Sequence, residues 1–320
     1  MATAKRIAKS KKDSVPIATR KKGGSVPIAK RKKAPIGNQA DRQKSEQSLA
    51  LERSPCTKEE VWKKLEPCQR AAMRHVDSQA KSLHGKALPA LLKRALLLGF
   101  THADLDSSLV YIRDEAPIVV HLGAETLALL CKDPWYRSQF ETGTSKGVND
   151  RAQRQQWENL MFANAYASAK DGEHPKYGCL NITGDIRGVC GARGYGELFM
   201  TLAPAVRHRT SFSNGIKPYG SVRVPMATND WYAHVLSEYT NDELECVLRV
   251  VRSARVHGAP SFYKFKECQI HGPLSIASDV VVLSVPGKRA AATTKLRRHV
   301  EAFSSISGCN VMWQGDLLGV

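Results

Sequence analysis

A short β-branched run, Ala116 to Leu122 (APIVVHL), constrains the fold of this chain more than any other stretch. Side chains that are stiff at χ1 and apolar suit a pleated strand better than a helix, so the run is read as a strand that enters the core after a turn at Asp114 and Glu115. His121 sits at its end. Further strands are read at Tyr177 to Ile182, Glu197 to Leu202, Ala205 to Phe212, Ser261 to Ile270 and Val280 to Val285, with Val222 to Val224 as an edge strand. Within Ser261 to Ile270, Phe262, Lys264 and Lys266 alternate along the run.

Helical periodicity lies around and before these strands. Thr57 is a helix N-cap with Glu59 and Glu60 in the first turn, where the helix dipole favours negative charge. Trp62, Leu65, Ala72, Met73 and Val76 follow as an apolar stripe broken at Pro67, and a second helix is expected from Ala87 to Leu98, closed by Gly99. Helices are also expected at Val148 to Ala169, at Asp230 to Arg255 and at Thr293 to Phe303. Leu244, Val247, Leu248 and Val251 line one face of the second of these. Helices and short strands without strict alternation predict an α+β fold: a helical N-terminal half, then short, mostly antiparallel strands with helices, in a single domain over 54–320.

The first 53 residues read differently. Residues 1–34 hold twelve Lys and Arg against Asp13 alone, so most of the formal charge of +18 belongs to this arm. SVPIATRKKGG from Ser14 is followed by SVPIAKRKKAP from Ser25, a repeat with a proline in each copy and no apolar face. Such a segment is expected to be disordered, and its clustered KRKK has the composition of a nuclear-import signal or of an arm that contacts polyanions. A solubilising tail with no partner has the same composition. The whole chain, at 320 residues and 42% hydrophobic content, is large enough to bury a real core. It has no apolar run of about 18 residues and no secretory h-region, so a soluble protein of the nucleus or cytoplasm is expected. Eight cysteines are scattered without a CxxC pair, which fits reduced thiols better than disulfides or a structural zinc site. Cys268 and His271 lack a second ligand pair at matching spacing, so no metal site is expected.

The stretch richest in small polar groups is Arg137 to Gly147, RSQFETGTSKG. Gly and the Thr and Ser hydroxyls favour turns over helix, and exposed amides between small residues suit an anionic or hydroxyl-rich ligand. The same composition also suits an ordinary turn. Glu141, Thr142, Gly143, Thr144 and Ser145 are therefore the candidate ligand-binding residues of the segment. Four separated stretches, RSQFETGTSKG, PKYGCLNI at Pro175, LAPAVRHRTSF at Leu202 and ECQIHGPLSIASDV at Glu267, together with APIVVH, resemble those of a largely bacterial family of uncharacterised domains. The resemblance is incomplete. That family's pattern carries a further His and Arg where this chain has Leu122, Gly123 and Glu125, and an Asp-Ser pair where it has Asn214, Gly215 and Ile216.

His121, Tyr177 and Glu267, in that order on three strands, are similar to the pattern of the ADP-ribosyltransferase fold. The resemblance implies a catalytic set in which His121 binds a ribose of NAD, Tyr177 stacks on nicotinamide and Glu267 stabilises the oxocarbenium-like centre, with Gln269 beside it as a further NAD contact. The chemistry matches the residue types: a carboxylate on the ribose 2′-hydroxyl stabilises charge at the anomeric carbon, and an aromatic face holds the departing ring. The acceptor, a protein or a nucleic acid, is left open. Two alternatives stand beside this reading, a basic nucleic-acid-binding module and a catalytically degenerate interaction protein. Arg207, His208 and Arg209, with Lys288, Arg289, Lys295, Arg297 and Arg298, are the basic residues that the first of these would use.

Overall fold

The computed structural model describes residues 57–145, 150–215, 224–252 and 264–318. The basic arm, the expected strand Val222 to Val224, for which only Val224 is described, and the first part of Ser261 to Ile270 lie outside these residues. All described residues fall in one unit of contacts, Ser48–Val320. Helix α1 (Lys58–Lys63) starts on Thr57, whose hydroxyl and the Glu60 carboxylate cap each other's backbone amides. Helix α2 (Pro67–Leu97) is far longer than its local signals suggest, because it runs without interruption through Pro89. An internal proline costs a hydrogen bond and a clash. Leu91 and Ala95, buried in the main core beyond it, bind that half of the helix to the rest of the molecule.

A helix the sequence reading left out, α3 (His102–Asp114), begins on a Thr101–Asp104 capping box. Strand β1 (Ile118–Leu122) follows and is buried along its whole length. Next come α4 (Ala124–Leu130), the single turn α5 (Gln139–Thr142), α6 (Arg151–Met161), β2 (Lys176–Leu180), β3 (Leu198–Leu202) and β4 (Thr210–Ser213). The chain ends with α7 (Ala233–Ser237), α8 (Asn241–Arg252), β5 (Lys266–Ile270), α9 (Ile276–Asp279), β6 (Val280–Val285), α10 (Thr294–Ser307), β7 (Asn310–Trp313) and α11 (Gln314–Leu318). Three of these differ from expectation. RSQFETG forms a capped helical turn where a loop was expected, the described part of Asp230 to Arg255 holds two helices, and most of the strand expected at Ala205 to Phe212 is a 3₁₀ helix, Pro204–Arg209, with β4 starting only at Thr210.

The strands form one seven-stranded sheet in the order β4-β5-β2-β1-β3-β6-β7, antiparallel except where β7 joins β6 in parallel. The fold is α+β. Side chains alternate between the two faces of a strand, so the register sorts them. Ile118, Val120, Leu122, Leu180, Met200, Cys268, Ile270 and Leu283 share one face and build the main apolar core with the helices. Val119, Cys179 and Phe199 point the other way into a small apolar cluster with Val189 and Ala192. His121, Tyr177, Glu267, Gln269 and Ser211 are on that second face, which therefore carries the catalytic candidates read from the sequence.

Candidate functional site

A cavity of about 840 Å³ opens on this second face. Its wall includes His121 from β1, Tyr177 and Cys179 from β2, and Glu267 from β5. These three strands are neighbours, in the order β5-β2-β1. Residues chosen as catalytic candidates from 121, 177 and 267 thus meet in one place. Thr142, Thr144 and Ser145 line the same cavity, as do Arg154 and Trp157 of α6. Aromatic side chains border it, and two of them, Trp135 and Tyr195, remain 43% and 39% exposed.

Tyr177 is held from several sides. Its hydroxyl donates to Oε1 of Glu158 at 3.0 Å, and the Arg154 guanidinium lies over its ring, 4.7 Å from the centroid. Glu158 is wholly buried and also accepts from Nδ1 of His174 at 2.5 Å. Burial pushes the Glu158 carboxyl above its ordinary range, against the opposing pull of His174. His174 in turn stacks between Phe140 of α5 and Tyr166. The chain reaches Tyr166 through Ala163 and Asn164, two residues with left-handed backbone. A buried row of contacts therefore links the RSQFETG segment, α6 and β2 to the aromatic side chain in the cavity.

His121 is equally fixed, though to a different end. Its Nδ1–H donates to the Gly196 carbonyl at 2.9 Å, and its Nε2 accepts the Val189 amide at 3.0 Å. A ring bonded in this way is a neutral Nδ1–H tautomer. Burial lowers its pKa from the ordinary histidine value, which keeps it neutral. Both nitrogens are already taken by backbone, so His121 presents ring carbons to the cavity.

The residues of the RSQFETG segment divide. Thr142, Thr144 and Ser145 line the cavity, whereas Glu141 and Gly143 are not part of its wall. Glu141 accepts from the Ser138 amide at 2.7 Å, from Arg137 at 3.1 Å and stands 3.5 Å from the buried Lys176 ammonium. Burial pushes the Glu141 carboxyl up, but the Ser138 amide and Lys176 outweigh it and the group lies below its ordinary range. Gly143 ends α5 in the left-handed region at φ 69°, a helix C-cap. Gln269 is fully buried behind Glu267, to which its amide donates at 3.3 Å.

The basic run of 207–209 is largely internal. Arg207 donates to the carbonyls of Ile112, Arg113 and Ala116 and so caps the end of α3, while Arg209 bonds the His271 carbonyl and pairs with Asp279 at 3.0 Å. Neither guanidinium is offered to a phosphate at the surface. Lys288, Arg289, Lys295 and Arg298 are exposed. Among the described residues no group of His, Cys, Asp and Glu side chains is arranged to hold a metal ion, and no helix is long and apolar enough to cross a membrane.

The middle of the chain can be compared with known families. Residues 119–238 match a family described as a protein of unknown function (DUF3626). The matched span runs from β1 past α7 and takes in His121, the 137–145 segment, Glu158, His174 and Tyr177. It stops before β5, so Glu267 lies beyond it. No curated protein matches the chain.

The sequence reading did not single out Glu158, His174 or Ser211 as site residues. No local pattern marks them. Glu158 lies among the polar residues of α6, His174 in a short turn and Ser211 among small strand residues, and only the tertiary fold gives each its partner. Arg154 falls within the helix expected at Val148 to Ala169, but its place over Tyr177 depends on the packing of α6 against β2.

Proposed function

We propose that the cavity binds NAD and that the protein cleaves the nicotinamide glycosidic bond, transferring ADP-ribose to a protein or nucleic-acid acceptor or to water. One observation carries the reading: Glu267, Tyr177 and His121 line a single cavity from three neighbouring strands. The volume is also appropriate, since cavities for small ligands and cofactors run from about 300 to 1,000 Å³. In this reading Glu267 takes the ribose 2′-hydroxyl and stabilises the positive charge that grows at the anomeric carbon as the bond breaks, the electron pair leaving with nicotinamide. Tyr177, whose hydroxyl is already committed to Glu158, serves through its ring. Arg154 supplies the cation beside the ring, suited to the dinucleotide's phosphates. His121 shapes the wall, and hydroxyl contacts fall to Thr142, Thr144 and Ser145, since its own nitrogens are occupied.

The test is incubation of the purified full chain with NAD while nicotinamide release is followed. Glu267→Gln should keep the parent's melting temperature and NAD affinity and lower the rate by about 100-fold or more, because the loss lies in the transition state. Absence of release together with absence of NAD binding would remove the reading. Equal rates for parent and variant would leave Glu267 out of the mechanism.

A further inference from the structure

Behind Glu267 runs a chain of side chains that none of the roles above uses. The Tyr166 hydroxyl lies 2.5 Å from Nδ1 of His271, and Nε2 of His271 lies 3.0 Å from the Ser211 hydroxyl. Ser211 donates to Oε1 of Gln269 at 3.1 Å, and Nε2 of Gln269 donates to Oε1 of Glu267 at 3.3 Å. Tyr166, His271, Ser211 and Gln269 have no exposed surface, so the chain runs buried along the second face of the sheet and surfaces only at the cavity carboxylate.

Counting protons leaves one direction for this chain. An ionised carboxylate only accepts, so the Gln269 amide must turn its NH₂ toward Glu267 and its carbonyl toward Ser211. Ser211 has a single hydroxyl proton, which that carbonyl takes. His271 must then donate from Nε2, and its bare Nδ1 accepts the Tyr166 proton. This requires a neutral imidazole, and burial, with Arg209 nearby, holds the His271 pKa down to about 3. Were the Ser211 hydroxyl absent, nothing on the strand side would hold the Gln269 carbonyl, and a flipped amide would aim that carbonyl at Glu267. Were the imidazole absent, the hydroxyl would be as free to accept from the amide as to donate to it, and the direction would no longer be fixed.

We infer that Ser211 and His271 are positioning residues for Glu267: they fix which end of the Gln269 amide faces the cavity and so keep an N–H on the carboxylate. The catalytic significance rests on the proposed role of Glu267, whereas the amide lock itself does not. The titratable or charged groups that act on Glu267 or adjoin it are Tyr177 and Cys179 on β2, Tyr195, Cys268 on its own strand, and Arg154 over Tyr177. Substitution of Ser211 alters none of them.

Two measurements on the full chain test this. In the parent, ¹⁵N NMR should find His271 as the neutral Nε2–H tautomer, and an Nδ1–H tautomer overturns the proposal without any variant. Carboxyl ¹³C titration, with the Glu267 signal assigned by its loss in Glu267→Gln, should show the midpoint rising by about one pH unit in Ser211→Ala and staying at the parent's value in Ser211→Thr, which keeps the hydroxyl. Should Ser211→Ala fail to fold, Ser211→Cys, close in size but a far weaker donor, gives a shift in the same direction. An unchanged Glu267 midpoint in the folded variant overturns the lock. If the parent also cleaves NAD, Ser211→Ala should lower kcat about tenfold at unchanged KM. If it cleaves none, the reading of the cavity fails while the NMR results still decide the lock.

Discussion

Phe140 lies flat on His174, ring centroids 3.6 Å apart and 10° from parallel, with the Arg151 guanidinium over its ring at 4.9 Å. This contact joins the RSQFETG segment to the turn that precedes β2. It orients the imidazole whose Nδ1–H holds Glu158, which holds Tyr177. Phe140→Leu keeps an apolar side chain but removes the stack. Stability should fall by about 1 to 3 kcal/mol, combining the aromatic pair with imperfect repacking. Turnover per folded molecule should also fall, because Tyr177 loses its anchor. Urea unfolding and NAD cleavage, measured on the same preparation, check both parts.

Glu141 gives the opposite split. Its carboxylate caps the turn that it belongs to and faces Lys176, which is 3% exposed, so its removal leaves a buried ammonium short of its counter-charge. Glu141→Gln should cost about 1 to 3 kcal/mol while each folded molecule keeps its activity. Full stability with lost turnover would instead assign Glu141 to the ligand.

Two features made the fold legible from residues. The β-branched run at 118–120 and the capping signals at Thr57 depend on neighbours within a few positions, and local steric and hydrogen-bonding rules decide them. The extent of α2 was not legible, because Pro89 is a local stop signal that tertiary packing of Leu91 and Ala95 overrides. Nor was β7, a four-residue strand that, among the described residues, pairs with β6 alone, in parallel. Within the site, His121, Tyr177 and Glu267 stood out by residue type at strand positions. Glu158, His174, Ser211 and His271 acquire their meaning from partners 16 to 105 residues away, and no spacing in the sequence announces them.

Gly196 fixes the wall beside His121. Its backbone lies at φ 149°, and a Cβ built there would sit 2.0 Å from the Leu122 carbonyl oxygen. Backbone cannot yield as a side chain can, so β1 and the segment ahead of β3 would have to part. The Gly196 carbonyl is also the acceptor for His121 Nδ1–H. Gly196→Ala should therefore destabilise by about 3 kcal/mol or more, combining backbone strain with a lost buried hydrogen bond. The melting temperature checks this, and a drop of only a degree or two would show that the 196 region shifts freely.

His271 gives the fold a predictable response to acid. Its folded pKa is about 3, held down by burial, whereas an exposed histidine titrates near 6.5. A base depressed in this way is neutral in the folded state while the unfolded chain takes up a proton, so stability falls as the pH drops from about 6.5 toward 3. One such proton contributes a slope of up to about 1.4 kcal/mol per pH unit. His121, His208 and His234 are shifted in the same direction by burial and add to the slope. The share of His271 is isolated by His271→Gln, which cannot titrate. Urea unfolding at pH 7 and pH 5 should show the parent losing more stability between the two than the variant, by about 2 kcal/mol, although the variant starts lower at pH 7 for want of the imidazole's hydrogen bonds. Equal losses would mean that His271 takes up its proton in the folded state, and the Tyr166 to Glu267 chain would then lack the neutral imidazole it requires.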